Sequence, residues 1–263
     1  MSGLLVHPDG GGEGTLVAVT PRRAGWGFVG FEAVRLRPGA LVERDTGERE
    51  CCVVAIEGRC SVRSTHGAWD LGGRPDPWAG PPDGAYLPPA SAFRLEGDGE
   101  VGLCFAPAPR GGADARVLPG EAITPELRGF GNQERTVLPI LMGDQAADSL
   151  LVCEVRTPPG HWSSYPPHKH DRDAMPEESL LEETYYHRVR PARGFALMRV
   201  YSAGRDLDET LAVGDRDTVL VPRGYHTVSA PPGYDLYYLN VMAGPVRAWA
   251  IANDPDHEWM LEP

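Results

Sequence analysis

Apolar residues in this chain come in short runs rather than long helical stripes. Runs of strand length occupy Thr15 to Val19, Val34 to Leu36, Cys52 to Ile56, Val101 to Phe105, Leu150 to Val155, Phe195 to Tyr201, Thr218 to Val221 and Tyr234 to Val241. Clusters of Gly, Pro and Asp bound most of them, as expected where strands end in tight turns. No segment sustains a 3.6-residue period, and only Pro125 to Arg128 reads as the start of a brief helical turn. The 32 Gly and 26 Pro are spread without a repeating triplet, which adds turns to the picture and excludes a collagen-like chain. The pattern predicts an all-β protein built as sandwiches or barrels.

A weak internal repeat divides the chain. Leu87-Pro88-Pro89-Ala90-Ser91-Ala92-Phe93 parallels Leu220-Val221-Pro222-Arg223-Gly224-Tyr225-His226, with the same spacing from Pro89 to Phe93 as from Pro222 to His226. Two copies of one β unit follow, with a boundary in the Gly- and Pro-rich stretch 112–133. We therefore expect an N-terminal domain over 1–125 and a C-terminal domain over 126–263. Phe93 stands where the second copy has His226, so the first domain is expected to lack whatever chemistry that histidine supports.

Charge narrows the partners. A formal net charge of -12 excludes nucleic acid and an anionic membrane as natural partners, since both need a basic face. Lys169 is the sole lysine, so 24 of the 25 basic residues are arginines, which suits bidentate recognition of a carboxylate. A small anionic molecule remains a fitting ligand. Cys51, Cys52, Cys60, Cys104 and Cys153 are odd in number and lack paired metal spacing, which points to reduced thiols in a cytoplasmic protein. The start MSGLLVHPDGGGEG has neither a basic n-region nor an apolar span, so no signal peptide or membrane segment is expected there.

The candidate chemistry lies in the second half. In a strand, alternate side chains share a face, so His168 and His170 project to one side and Lys169 to the other. In the run 182–188, Glu183, Tyr185 and His187 share one face, and Glu182 and Tyr186 the other. A third imidazole arrives at His226 behind Pro222-x-Gly224, where glycine permits a tight turn. Three imidazoles and one carboxylate suit Zn, Fe, Ni or Mn with positions left for water or substrate. Among Glu177, Glu178, Glu182 and Glu183, strand parity favours Glu183.

Gly160, His168, His170, Glu183, Pro222, Gly224 and His226 resemble the cupin superfamily pattern. They depart from it in the twelve residues 171–182 between His170 and the glutamate, expected to form a loop across the barrel mouth. Longer stretches, PPHKHD (166–171), EETYYHR (182–188), Arg193-Gly194-Phe195, VPRGYH (221–226), AGPVRAW (243–249) and NDPDHEWM (253–260), resemble the 5-deoxy-glucuronate isomerase family. These are bicupins of bacterial myo-inositol catabolism, and a more distant similarity runs to the ketol-isomerase of pectin breakdown. The resemblance implies two tandem cupin barrels and one divalent ion per chain, zinc first, on His168, His170, Glu183 and His226. It also implies conversion of 5-deoxy-D-glucuronate to 5-dehydro-2-deoxy-D-gluconate through a metal-stabilised enediolate. Tyr185, His187 and Glu182 are the candidate acid–base groups. Arg135, Arg172, Arg188, Arg199 and Arg223 are candidates for the substrate carboxylate. A cupin dioxygenase and a non-catalytic sugar-binding module are the rival readings, and a homo-oligomer is compatible with either.

Overall fold

A computed structural model describes residues 3–9 and 14–261. The ends of the chain and the glycine-rich stretch at 10–13 of the N-terminal reading lie outside the described residues. Nearly every element is an antiparallel strand, and none of the described helices is long and apolar enough to cross a membrane.

The first half is one continuous sheet in the order Thr15–Val19, Gly30–Leu36, Ala92–Pro107, Arg49–Ser64, Gly84–Leu87 and Arg116–Leu118. Val42–Asp45 and Gly67–Arg74 pair with its two 16-residue strands. Those strands run in register through a bulge at Ala55/Glu57, where the ribbon bends over itself. Glycine is required at the bend. A Cβ on Gly97 would lie 2.1 Å from the Arg59 carbonyl oxygen, and one on Gly58 would lie 2.2 Å from that of Asp98. The folded-over sheet encloses an apolar filling that includes Cys51, Val53, Val62, Phe93 and Leu103.

The second half is a two-layer barrel. One layer runs Leu5–Val6, Thr218–Val221, Glu182–Arg190, Asp235–Ala243, Leu150–Thr157, Arg135–Leu141 and Glu126–Arg128. The other runs Asp208–Val213, Ala196–Tyr201, Tyr225–Ser229, Trp162–Lys169 and Ala252–Asn253. Tyr185, Val189, Met198, Val219, Val228 and Tyr238 pack between them.

A third apolar layer joins the halves. Phe31, Val54, Ile56 and Cys104 from the first half meet Val152, Tyr186, Tyr237 and Leu239 from the second. Strands buried on both faces explain the adjacent cysteines: Cys51 faces the first barrel and Cys52 the layer between the halves, each as a free thiol.

Three expectations need correction. Glu126–Arg128 is an edge strand paired with Arg135–Leu141, because sheet pairing overrides a weak local preference for a turn of helix. Residues 171–182 are not an irregular loop: Asp171–Ala174 and Glu178–Leu180 form a small hairpin. The division at 125/126 misses the chain's start, since Leu5 and Val6 pair with Val219 and Thr218 in the second barrel. The repeat does have a structural counterpart, as strand, turn, strand at Gly84–Leu87 into Ala92–Pro107 and at Thr218–Val221 into Tyr225–Ser229.

Candidate active site

His168 and His226 are opposed partners on adjacent strands, and His170 follows at the end of the first of these. Their ligand atoms lie within 4.8 Å of one another, and all three rings are buried. Backbone carbonyls hold the outer ring nitrogens. Nδ1 of His170 donates to Leu181 O at 3.0 Å, and Nδ1 of His226 donates to Gly224 O at 3.2 Å. Such tethers turn Nε2 of both rings inward, where the deprotonated nitrogen is a lone-pair donor.

The turn that delivers His226 depends on Gly224, at φ +88°. A Cβ there would lie 2.5 Å from Tyr201 O. Asp171 completes that turn by accepting from the Gly224 amide at 2.8 Å. Lys169 points away from the histidines and pairs with Asp171 at 2.6 Å and Glu178 at 2.7 Å. Glu178 also accepts from Arg172, so this carboxylate pins the hairpin outside the site.

Glu183 enters from the opposite sheet. Its Oε2 is 3.1 Å from Nε2 of both His170 and His226, although His226 Nε2 makes no aligned hydrogen bond with it. The other oxygen, Oε1, accepts from the Asn240 amide at 2.6 Å. Burial pushes the Glu183 carboxyl upward, but the hydrogen bond from His170 and the charge of the two neighbouring imidazoles outweigh it and hold the group at about 2. Burial and then the neighbouring imidazoles push His168 well below its ordinary value, which favours the neutral form. A buried imidazole nitrogen without a partner, facing a carboxylate and two further inward nitrogens, fits a divalent ion.

His168, Glu183 and Asn240 form one wall of a cavity of about 200 Å³ that Tyr185, Ser164, Tyr238 and Arg135 also line. Trp249, Ile251 and Leu261 from the C-terminal tail line it too. The Tyr185 hydroxyl sits 2.9 Å from Ser164 Oγ, and burial, followed by the charge of Glu183, raises its pKa well above the usual phenol value. His187 lies behind Tyr185 rather than in the cavity lining. Its ring stacks at 6.0 Å, Nδ1 donates to Asp217 O at 3.3 Å and Nε2 has no partner among the described residues. Burial pushes its pKa down to about 4.

Glu182 stands on the far face of the same strand. It accepts from the backbone amides of Gly27, Phe28 and Val29 at 2.6, 2.7 and 3.0 Å, in the first half of the chain. The structure therefore brings Tyr185 to the histidines, sets His187 one layer back and leaves Glu182 at the contact between the halves.

Of the five arginines, four are paired with carboxylates: Arg172 with Glu178, Arg188 with Glu57, Glu100 and Asp215, Arg199 with Asp208, and Arg223 with Asp206. Arg135 alone among them lines the cavity. Sequence reasoning did not assign Asn240 a role. The available signal was an amide in the inward-facing stripe Leu236, Tyr238, Asn240, Met242 of an otherwise apolar strand.

A sequence model of the KduI/IolB family matches residues 4–260. The chain is 50% identical over 254 residues to the 5-deoxy-glucuronate isomerase of Geobacillus kaustophilus, covering 95% of this chain and 92% of that one. The 5-deoxy-glucuronate isomerase of Halalkalibacterium halodurans is 45% identical over 249 residues, covering 93% and 92%. A crystal structure of an IolB-like protein from Salmonella typhimurium superposes with a TM-score of 0.95 at 41% identity, over 98% of this chain and 99% of that one. An oxalate decarboxylase from Lactobacillus farciminis superposes at 0.65 with 13% identity, over 100% and 91%, a likeness of fold alone. The fold is thus the two-barrel cupin fold.

Proposed function

The chain belongs to the KduI/IolB family, and from that membership we propose that it is an aldose–ketose isomerase converting 5-deoxy-D-glucuronate to 5-dehydro-2-deoxy-D-gluconate in myo-inositol catabolism. The observation that carries the reading is a buried triad, His168, His170 and His226, facing Glu183 at the wall of a small cavity, in a chain half identical to named isomerases. The four residues would hold one divalent ion per chain, with zinc our first choice and manganese, iron or nickel compatible with the same donors. When bound, such an ion supplies Lewis acidity to the neighbouring carbonyl and hydroxyl oxygens of an α-hydroxy aldehyde.

Isomerisation moves a proton from C2 to C1 and another from O2 to O1, and the protein's own groups supply the second transfer. A phenol whose pKa is raised by burial keeps its proton, so Tyr185 donates it to O1, while Ser164 takes up the O2 proton and returns its own to the phenolate. Asn240 holds Glu183 facing the histidines, and His187 braces the Tyr185 ring from behind. Glu182, engaged by three backbone amides, holds the two halves together and takes no part in proton transfer.

The test is incubation of zinc-loaded protein with 5-deoxy-D-glucuronate in deuterated water without oxygen, followed by NMR. Ketose carrying deuterium at C1 is the expected product, and no ketose from fully loaded protein would overturn the isomerase reading. Tyr185→Phe should lower kcat by roughly 10²- to 10³-fold at unchanged metal content.

A further inference from the structure

Arg135 begins the strand Arg135–Leu141, directly opposite Arg128 on the edge strand, and both side chains line the cavity. Like charges opposed across a strand pair are unfavourable unless something negative compensates them. Arg128 has its own compensation, since it donates to Glu126 at 2.9 Å and lies over the Trp249 ring at 5.0 Å. Arg135 has no carboxylate partner among the described residues. Nη1 donates to Gln133 O at 3.1 Å and more weakly to Tyr165 O at 3.4 Å, which leaves the rest of the guanidinium unengaged.

The chain is built around this side chain. Gly129, at φ +80°, has no Cβ, and one placed there would lie 2.6 Å from Arg135 Nη1 and 2.4 Å from Gln133 O. The turn from Gly129 to Gln133 is therefore a seat for the guanidinium that any larger residue would fill. A half-buried cation held in place and left without a counter-ion is a site for an anionic ligand, because the ligand completes its electrostatics.

We infer that Arg135 binds the carboxylate of the sugar acid, setting the acid end of the ligand at the wall of the Glu126–Arg128 strand and its carbonyl end at the histidines. The assignment rests on the isomerase reading for the identity of the substrate, but not for the class of ligand, a hexuronate-sized acid. It gives the site a means of telling a sugar acid from the neutral sugar: the guanidinium fork matches two carboxylate oxygens and finds no equivalent in a hydroxymethyl group.

The test compares D-glucuronate with D-glucose, which differ only at C6, in ligand titrations of the zinc-loaded protein followed by NMR. Wild type should prefer the acid by at least about tenfold. Arg135→Gln should bring the two affinities within about threefold while leaving glucose binding and zinc content unchanged. Arg135→Lys, with a point charge in place of the fork, should retain part of the preference. No preference in wild type, a preference intact in Arg135→Gln, or equal loss of both sugars would each overturn the assignment. Arg135-dependent binding of glucuronate together with failure to isomerise 5-deoxy-D-glucuronate would uphold it and sink the isomerase reading instead.

Discussion

Asn240 contributes one amide, yet that amide decides which way Glu183 faces. Its bond to Oε1 leaves Oε2 directed at His170 and His226, so an apolar residue of similar size removes the orientation while keeping all four side chains of the proposed metal site. Asn240→Leu should therefore weaken ion binding about 10- to 100-fold, read by chelator competition, with the β spectrum unchanged. His187 makes a separate contribution at the same scale. Its pKa is about 4 when folded, against an ordinary value near 6.5. The unfolded chain thus takes up a proton that the folded chain refuses, and stability falls as the pH drops between those values. The slope is about 1.4 kcal/mol per pH unit from this one group. In metal-free protein, urea unfolding at pH 7 and pH 5 should give a smaller loss for His187→Gln than for wild type; equal losses would place the titrating group elsewhere.

The strand Glu182–Arg190 shows what one element does for the site. Its odd positions, Glu183, Tyr185 and His187, enter the second barrel, whereas Glu182, Tyr186 and Arg188 meet the first half of the chain. The strand is buried on both faces, so both neighbouring glutamates are engaged and neither is simply solvated. Their substitutions should separate cleanly. Glu183→Gln should empty the metal site, whereas Glu182→Gln should keep one ion per chain and lower stability by about 2 kcal/mol through weaker bonds to three amides. Metal analysis and chemical denaturation of the two variants decide the matter. The hairpin at 171–180 works as an element too. It fills the long interval before Glu183 while Lys169, Glu178 and Asp171 tie it to the turn that carries His226.

Across the whole molecule the two halves grip each other in the same manner. Glu182 in the second half accepts from the amides of residues 27–29, and Glu50 in the first accepts from Asp148, Ser149 and Leu150 at 2.7 to 2.8 Å. Glu100 of the first half is fully buried and engages Tyr186, Arg188 and Arg216 of the second. With the shared apolar layer, these contacts make each half part of the other's core. Residues 126–263 alone would expose that layer and strand Glu182 without its amides, so the fragment should not unfold cooperatively, whereas the full chain should melt in one transition. A sharp transition of the fragment's own, by calorimetry, would contradict this.

The sequence by itself determined the all-β class and the face on which each histidine and glutamate of the motif lies. These follow from the two-residue alternation of strands and the turn chemistry of Gly and Pro, which act over a few residues. Only the tertiary structure decided that Asn240 orients Glu183, that Glu182 binds the first half, that Leu5 and Val6 join the second barrel and that Arg135 is the cavity-lining arginine without a carboxylate partner among the five candidates. Each of those depends on which strand lies beside or across from which, over separations from tens to more than two hundred residues. Alternation along a strand says which way a side chain points, but not what it will meet.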